Sequence, residues 1–214
     1  MSESVNYTTG RSLSALLDDL HAMGESDPVT VGDLLEAFHE RGFGVLLLIF
    51  ALPAAIPLPG LGINLIVAAP LVILSLQQAL GADRVRLPPS LCRRAISAER
   101  LKAVVDSARP WARRIEPVLK PRLVQLTQGR SMNIIGILGL MMALSVCVPL
   151  PLTNTVPGMG IAIMAVGLLA RDGIFVIVGA MLGSLWVITL WGALLIFGMA
   201  GIAWLHTQLS ALLP

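Results

Sequence analysis

Charge is what this sequence has least of. Only 13% of its 214 residues are Asp, Glu, Lys or Arg, against roughly 25% in a soluble domain. Three long tracts are the extreme case: residues 42–82 and 131–170 carry no charged side chain, and residues 173–214 carry none apart from titratable His206. Uncharged apolar runs longer than about 18 residues read as membrane spans, and a mean hydropathy of +0.82 agrees. The chain therefore reads as an all-α integral membrane protein. Residues 1–22 hold no sustained apolar core, so a secretory leader is not expected and the apolar tracts themselves would target the chain. The two cysteines, Cys92 and Cys147, have no metal-ligand spacing and read as free thiols. No metal or cofactor is expected.

What is present is written twice. Ala51-Leu52-Pro53-Ala54-Ala55-Ile56-Pro57-Leu58-Pro59 returns as Ala143-Leu144-Ser145-Val146-Cys147-Val148-Pro149-Leu150-Pro151, identical at five of nine positions. Each copy follows one apolar run and precedes a lone asparagine (Asn64, Asn154) and a second apolar run. The pattern predicts two repeated helical hairpins, each broken at a Pro-Leu-Pro turn. The leading limb, 43–56, would be only about 21 Å long, short of the roughly 30 Å hydrocarbon core. Pro53 shortens its regular part further, so re-entrant or barely spanning hairpins are expected. Irregular backbone at that depth needs protein or water to satisfy it.

Five segments follow from the charge pattern. In 1–42, Leu13, Leu16, Leu17 and Leu20 share one helical face, and Thr30-Val31-Gly32-Asp33 resembles a capping box opening a second helix that stops at Arg41-Gly42. Segment 43–82 is the first hairpin, whose trailing limb reaches across only if Pro70 merely kinks it. Segment 83–130 is a basic amphipathic connector, with twelve Lys/Arg and three acids in 84–130. Prolines subdivide it, Ser97 can cap a helix, and Arg93, Arg94, Arg113, Arg114, Lys120 and Arg122 would meet anionic lipid head groups. The positive-inside rule places this connector, and with it the N-terminus, in the cytoplasm; nucleic-acid binding is not expected. Segment 131–172 is the second hairpin. Segment 173–214 is one C-terminal membrane helix, tilted and projecting, or a pair broken near Trp191-Gly192. Gly179 and Gly183 form a close-packing motif.

Arg41-Gly42-Phe43-Gly44, the turn from Ala51-Leu52-Pro53 to Pro59-Gly60, Pro70-Leu71, Gln77, Leu87-Pro88 and Arg171-Asp172-Gly173 resemble the ExoD family of exopolysaccharide synthesis. The resemblance runs from about residue 30 to about residue 200. It implies a small multi-pass protein of the bacterial inner membrane and supplies no catalytic residues or cofactor.

No catalytic constellation is visible, so an enzyme is not expected. The apolar half holds no acid–base pair beyond Arg171-Asp172, and Ser145, Ser184 and Cys147 have no base nearby in sequence. Candidate solute-binding residues are Pro57, Pro59, Asn64, Pro149, Pro151, Thr153, Asn154 and Thr155, because broken helices in repeated units are how transporters build a midplane site. The alternative at each turn is a proline that only turns the chain and an asparagine that only caps a helix. Gln77, Arg171 and Asp172 are candidates for a polar or ionic relay, with a loop anchor as the competing role for the last two. Two readings of function follow. One is a small transporter or channel-like protein for an ion or small polar solute. The other is a non-catalytic accessory of the polysaccharide machinery that binds lipid-linked intermediates or partner proteins. Membrane lipids, a second copy of the chain and that machinery are the expected partners.

Overall fold

The computed structural model describes residues 13–25, 29–38, 41–56, 63–82, 84–93, 95–148 and 154–212. These residues are helical apart from loops and a ladder two residues long. The helices are α1 (Leu13–Glu25), α2 (Val31–Phe38), α3 (Gly42–Ala55), α4 (Ile63–Ala79), α5 (Pro89–Cys92), α6 (Ala98–Ile115), α7 (Arg130–Cys147), α8 (Thr155–Ala170) and α9 (Gly173–Leu212), with a 3-10 turn at Val124–Thr127. Two stretches, Arg130–Cys147 (18 residues) and Gly173–Ala200 (28 residues), are long and apolar enough to cross a membrane. Shorter apolar helices, among them Gly42–Ala55 and Thr155–Ala170, accompany them.

Prolines do not end the helices here. Pro53, Pro70 and Pro110 all lie within α-helices. At Pro110 this corrects the expectation of a subdivided connector: the proline is exposed, so the carbonyl it orphans one turn earlier can face water while α6 continues.

The four hairpin helices pair crosswise. α3 packs mainly on α8, and α4 mainly on α7. Glycine sets both approaches. A Cβ added to Gly44 would lie 3.2 Å from the Ala165 carbonyl oxygen, and one on Gly158 would lie 2.7 Å from the Ala54 carbonyl carbon. On the other pair, a Cβ on Gly136 would lie 2.2 Å from the Ala79 nitrogen. Gly44 and Gly136 each stand seven residues before the Ala-Leu of the duplicated motif. The start of α3 thus meets the end of α8 and its end meets the start of α8; α4 and α7 are antiparallel in the same manner. Both hairpins therefore point the same way, with their tips at one end and their bases at the other. Leu47, Ala51, Leu71, Leu74, Met142, Val146, Ile161 and Met164 fill the core between them.

α9 returns antiparallel along α8. Added Cβ atoms on Gly179 and Gly183 would lie 2.6 Å from the Gly160 carbonyl oxygen and 1.9 Å from Met142 Sδ, so the close-packing motif is used. The break considered near Trp191-Gly192 does not occur: α9 is one helix of 40 residues. Up to Ala200, Val187 is its last buried residue, and Leu195, Ile196, Phe197 and Met199 beyond it are exposed.

A second, smaller unit sits at the base. α1 packs on α6, and Val29-Thr30 pairs antiparallel with Ala95-Ile96. Leu20, Val29, Phe38 and Val105 form its core. The sequence treats 1–42 and the connector as separate segments, and here they fold together. The buried face of α6 is covered by α1, which corrects the picture of that face resting on a membrane surface. The stop expected at Arg41-Gly42 also shifts. α2 ends at Phe38, and Gly42 opens α3, because that glycine is buried against Leu35 and Val85.

Candidate functional site

The polar residues of the apolar bundle fall into two sets. One set is spent on backbone. Asp172, 1% exposed, accepts hydrogen bonds from the Lys120 amide at Oδ2 (3.0 Å) and the Ile174 amide at Oδ1 (3.0 Å). It caps α9 and ties the connector to the α8–α9 junction in the same act. Two further contacts tighten that junction. The Gly173 amide donates to the Arg122 carbonyl at 2.7 Å, and Arg171 turns the chain in the left-handed region at φ 54°. Gln77 does the same work at the end of α4. Its Oε1 accepts from the Arg86 amide at 2.8 Å, and its Nε2 donates to the Arg86 carbonyl at 3.0 Å. The relay candidates Gln77 and Asp172 are therefore clasps at the base of the bundle.

The other set has no such duty. Ser75 Oγ, Ser145 Oγ and Ser184 Oγ are buried and have no hydrogen-bond partner among the described residues. Ser75 faces Gly139, whose added Cβ would lie 3.0 Å from its Oγ. Gln78, also buried, donates only to Met132 Sδ at 3.7 Å. Sequence reading missed Ser75, Ser145 and Ser184 as a group, because a serine in an apolar helix ordinarily bonds back to its own turn.

The solute-site candidates are only partly visible. Pro57, Pro59, Pro149, Pro151 and Thr153 lie outside the described residues, as does the side chain of Asn64. Asn154 is buried at the N-cap of α8, where its side chain makes no capping bond. Thr155, half-buried, opens the helix. Of the basic candidates, Arg93, Arg113, Arg114, Lys120 and Arg122 are exposed, and Arg94 lies outside the described residues. Among the described residues no group of His, Cys, Asp and Glu could hold a metal ion.

A family profile described as exopolysaccharide synthesis, ExoD, matches residues 13–192. The chain belongs to the ExoD family. Among its relatives is Protein ExoD of Rhizobium meliloti, 30% identical over 171 residues, or 78% of this chain and 70% of that one. An uncharacterized Synechocystis protein is 29% identical over 205 residues, covering 92% of this chain and 97% of the relative. No solved structure matches. The profile takes in both ExoD hairpins, the connector and α9 as far as residue 192.

Proposed function

We propose that this ExoD protein is a multi-pass protein of the bacterial inner membrane, with its N-terminus in the cytoplasm. In this reading it serves exopolysaccharide production as a small channel-like or secondary-transport protein for an ion or small polar solute. The observation that carries the reading is the crosswise packing of two apolar hairpins pointing the same way. Two copies of one Pro-Leu-Pro unit, related by an axis along the membrane normal, would pack in this manner, and parallel repeats are an established transporter construction. Short limbs of 14 to 18 residues favour tips that end inside the membrane or barely reach its far face. With Gln77 and Asp172 engaged by backbone groups, the movement proposed is facilitated and uses no titratable relay.

Purified protein in sealed vesicles tests this. Solute-dependent flux that Asn154→Ala weakens, at unchanged thermal stability, is expected; loss of stability with flux per folded molecule unchanged would remove Asn154 from the site. The accessory role is the second reading, favoured by the exposed cations Arg93, Lys120 and Arg122 at the base. Absence of flux together with co-purification of polymerising enzymes would establish it instead.

A further inference from the structure

α7 presents successive positions to different neighbours. Gly139 faces Ser75 of α4; three residues on, Met142 Sδ meets Gly183 of α9 and Gly160 of α8. Each step of three turns the helix by about 300°, so Ser145 continues the same rotation and stands on the side of α7 toward α9. α9 rotates in the matching sense. The atoms nearest an added Cβ on Gly179 are those of Gly160 and Met164 of α8, those nearest one on Gly183 come from Met142 of α7 and Gly160 of α8, and Ser184, about 100° further round α9, lies on the α7 side. α7 and α9 run in the same direction, because each is antiparallel to α8. Taking Met142 opposite Gly183 as level, Ser145 and Ser184 differ in height by only about 3 Å. Both hydroxyl oxygens are buried without a partner among the described residues, and Ser145 is 0% exposed.

We propose that the α7–α9 seam binds a small uncharged hydrogen-bonding molecule, water being the smallest, held between the hydroxyls of Ser145 and Ser184. A buried hydroxyl without a partner is costly, and buried water characteristically bridges two such groups. The walls offer no charge to hold an ion, since residues 131–170 and 173–200 carry no charged side chain. A neutral donor–acceptor fits two hydroxyls, each of which can donate and accept. This deepens the transport reading by placing a polar site on the second hairpin and α9, one helical turn before Pro149-Leu150-Pro151, and its test does not depend on flux.

Melting temperatures of Ser145→Ala, Ser184→Ala and the double variant decide it. Each single substitution is expected to lower Tm by roughly 2–4 °C, although alanine is the better helix former. The double variant is expected to fall no further than the worse single, because the shared molecule has already been lost. Single variants that melt at or above the parent temperature, or a double variant with additive losses, would overturn the site. Should either alanine variant fail to fold, Ser145→Cys and Ser184→Cys replace it. A thiol keeps the shape but bonds weakly, so the same loss and the same non-additivity are expected.

Discussion

Asp172 donates nothing and accepts twice, from amides that belong to different parts of the chain. Truncation to alanine strands both, at roughly 1–3 kcal/mol for each amide that stays dry. Asparagine has one acceptor oxygen for two amides, so Asp172→Asn should fall between alanine and the parent in thermal stability. If Asp172 were a proton relay, Asp172→Asn would abolish coupling while leaving the melting temperature alone, which is the opposite pattern. Asp33 offers a cleaner titration, in the base unit. Bonds from the Thr30 hydroxyl (2.7 Å) and the Thr30 amide (2.8 Å) hold its carboxyl below the usual carboxylate range. A depressed folded pKa means that this contribution is fully present above the unfolded value of about 3.9 and is lost as pH falls through the folded one. Asp33's contribution to the melting of the base unit should therefore not vary with pH near neutrality. Asp33→Asn should blunt the acid limb of its stability curve below about pH 4.

At the scale of elements, glycines decide which helices touch. Gly136→Leu would drive a side chain into the backbone of Gln78 and Ala79 and is expected to abolish monodisperse folded protein. Gly192→Leu, with nothing within 4 Å of an added Cβ, should be silent; gel filtration of both variants in one detergent is the comparison. The elements themselves were legible. Uncharged tracts located α3, α4, α7, α8 and α9, and the Thr30–Asp33 capping box is present with both its bonds. Partnership was not legible. Leu20 and Val105 read as apolar faces of two separate segments, the second awaiting a membrane surface, yet they bury one another's helices, because periodicity shows that a face is apolar and not what covers it. The clasp at Gln77 was equally hidden, and the loop-anchor role weighed for Asp172 gave no sign of the Lys120 amide as its partner, since a side chain bonded to backbone leaves no pairing signature in sequence. Glycine offers the one retrospective clue. α8 carries Gly160 and Gly167 where α9 closes on it, whereas at the corresponding heights α4 has Pro70 and Gln77 and holds the connector at Arg86.

For the whole molecule, the bases of both hairpins and the basic connector share one end, so topology is testable with two labels. In a cysteine-free background, Ser90→Cys and Lys120→Cys should resist a membrane-impermeant thiol reagent in intact cells and react after lysis. Labelling of both before lysis would turn the protein over and move the N-terminus outside. α9 adds a constraint on depth. At about 60 Å it is twice the hydrocarbon thickness of about 30 Å. It passes the hairpin tips near Val187 and continues as exposed apolar helix, so the tips and the end of α9 cannot lie at the same level.

The crosswise pairing also has a consequence for how the chain is made. α3 finds α8, and α4 finds α7, only after the connector has been synthesised. The first hairpin leaves the ribosome with the surfaces that receive α7 and α8 uncovered while roughly 90 further residues are added, some 5–18 s at about 5–20 residues per second. During that interval its nearest substitute partner is the first hairpin of a neighbouring nascent chain. Accurate assembly therefore rests on keeping newborn copies apart, and slow initiation should improve the yield of folded protein more than slow elongation does.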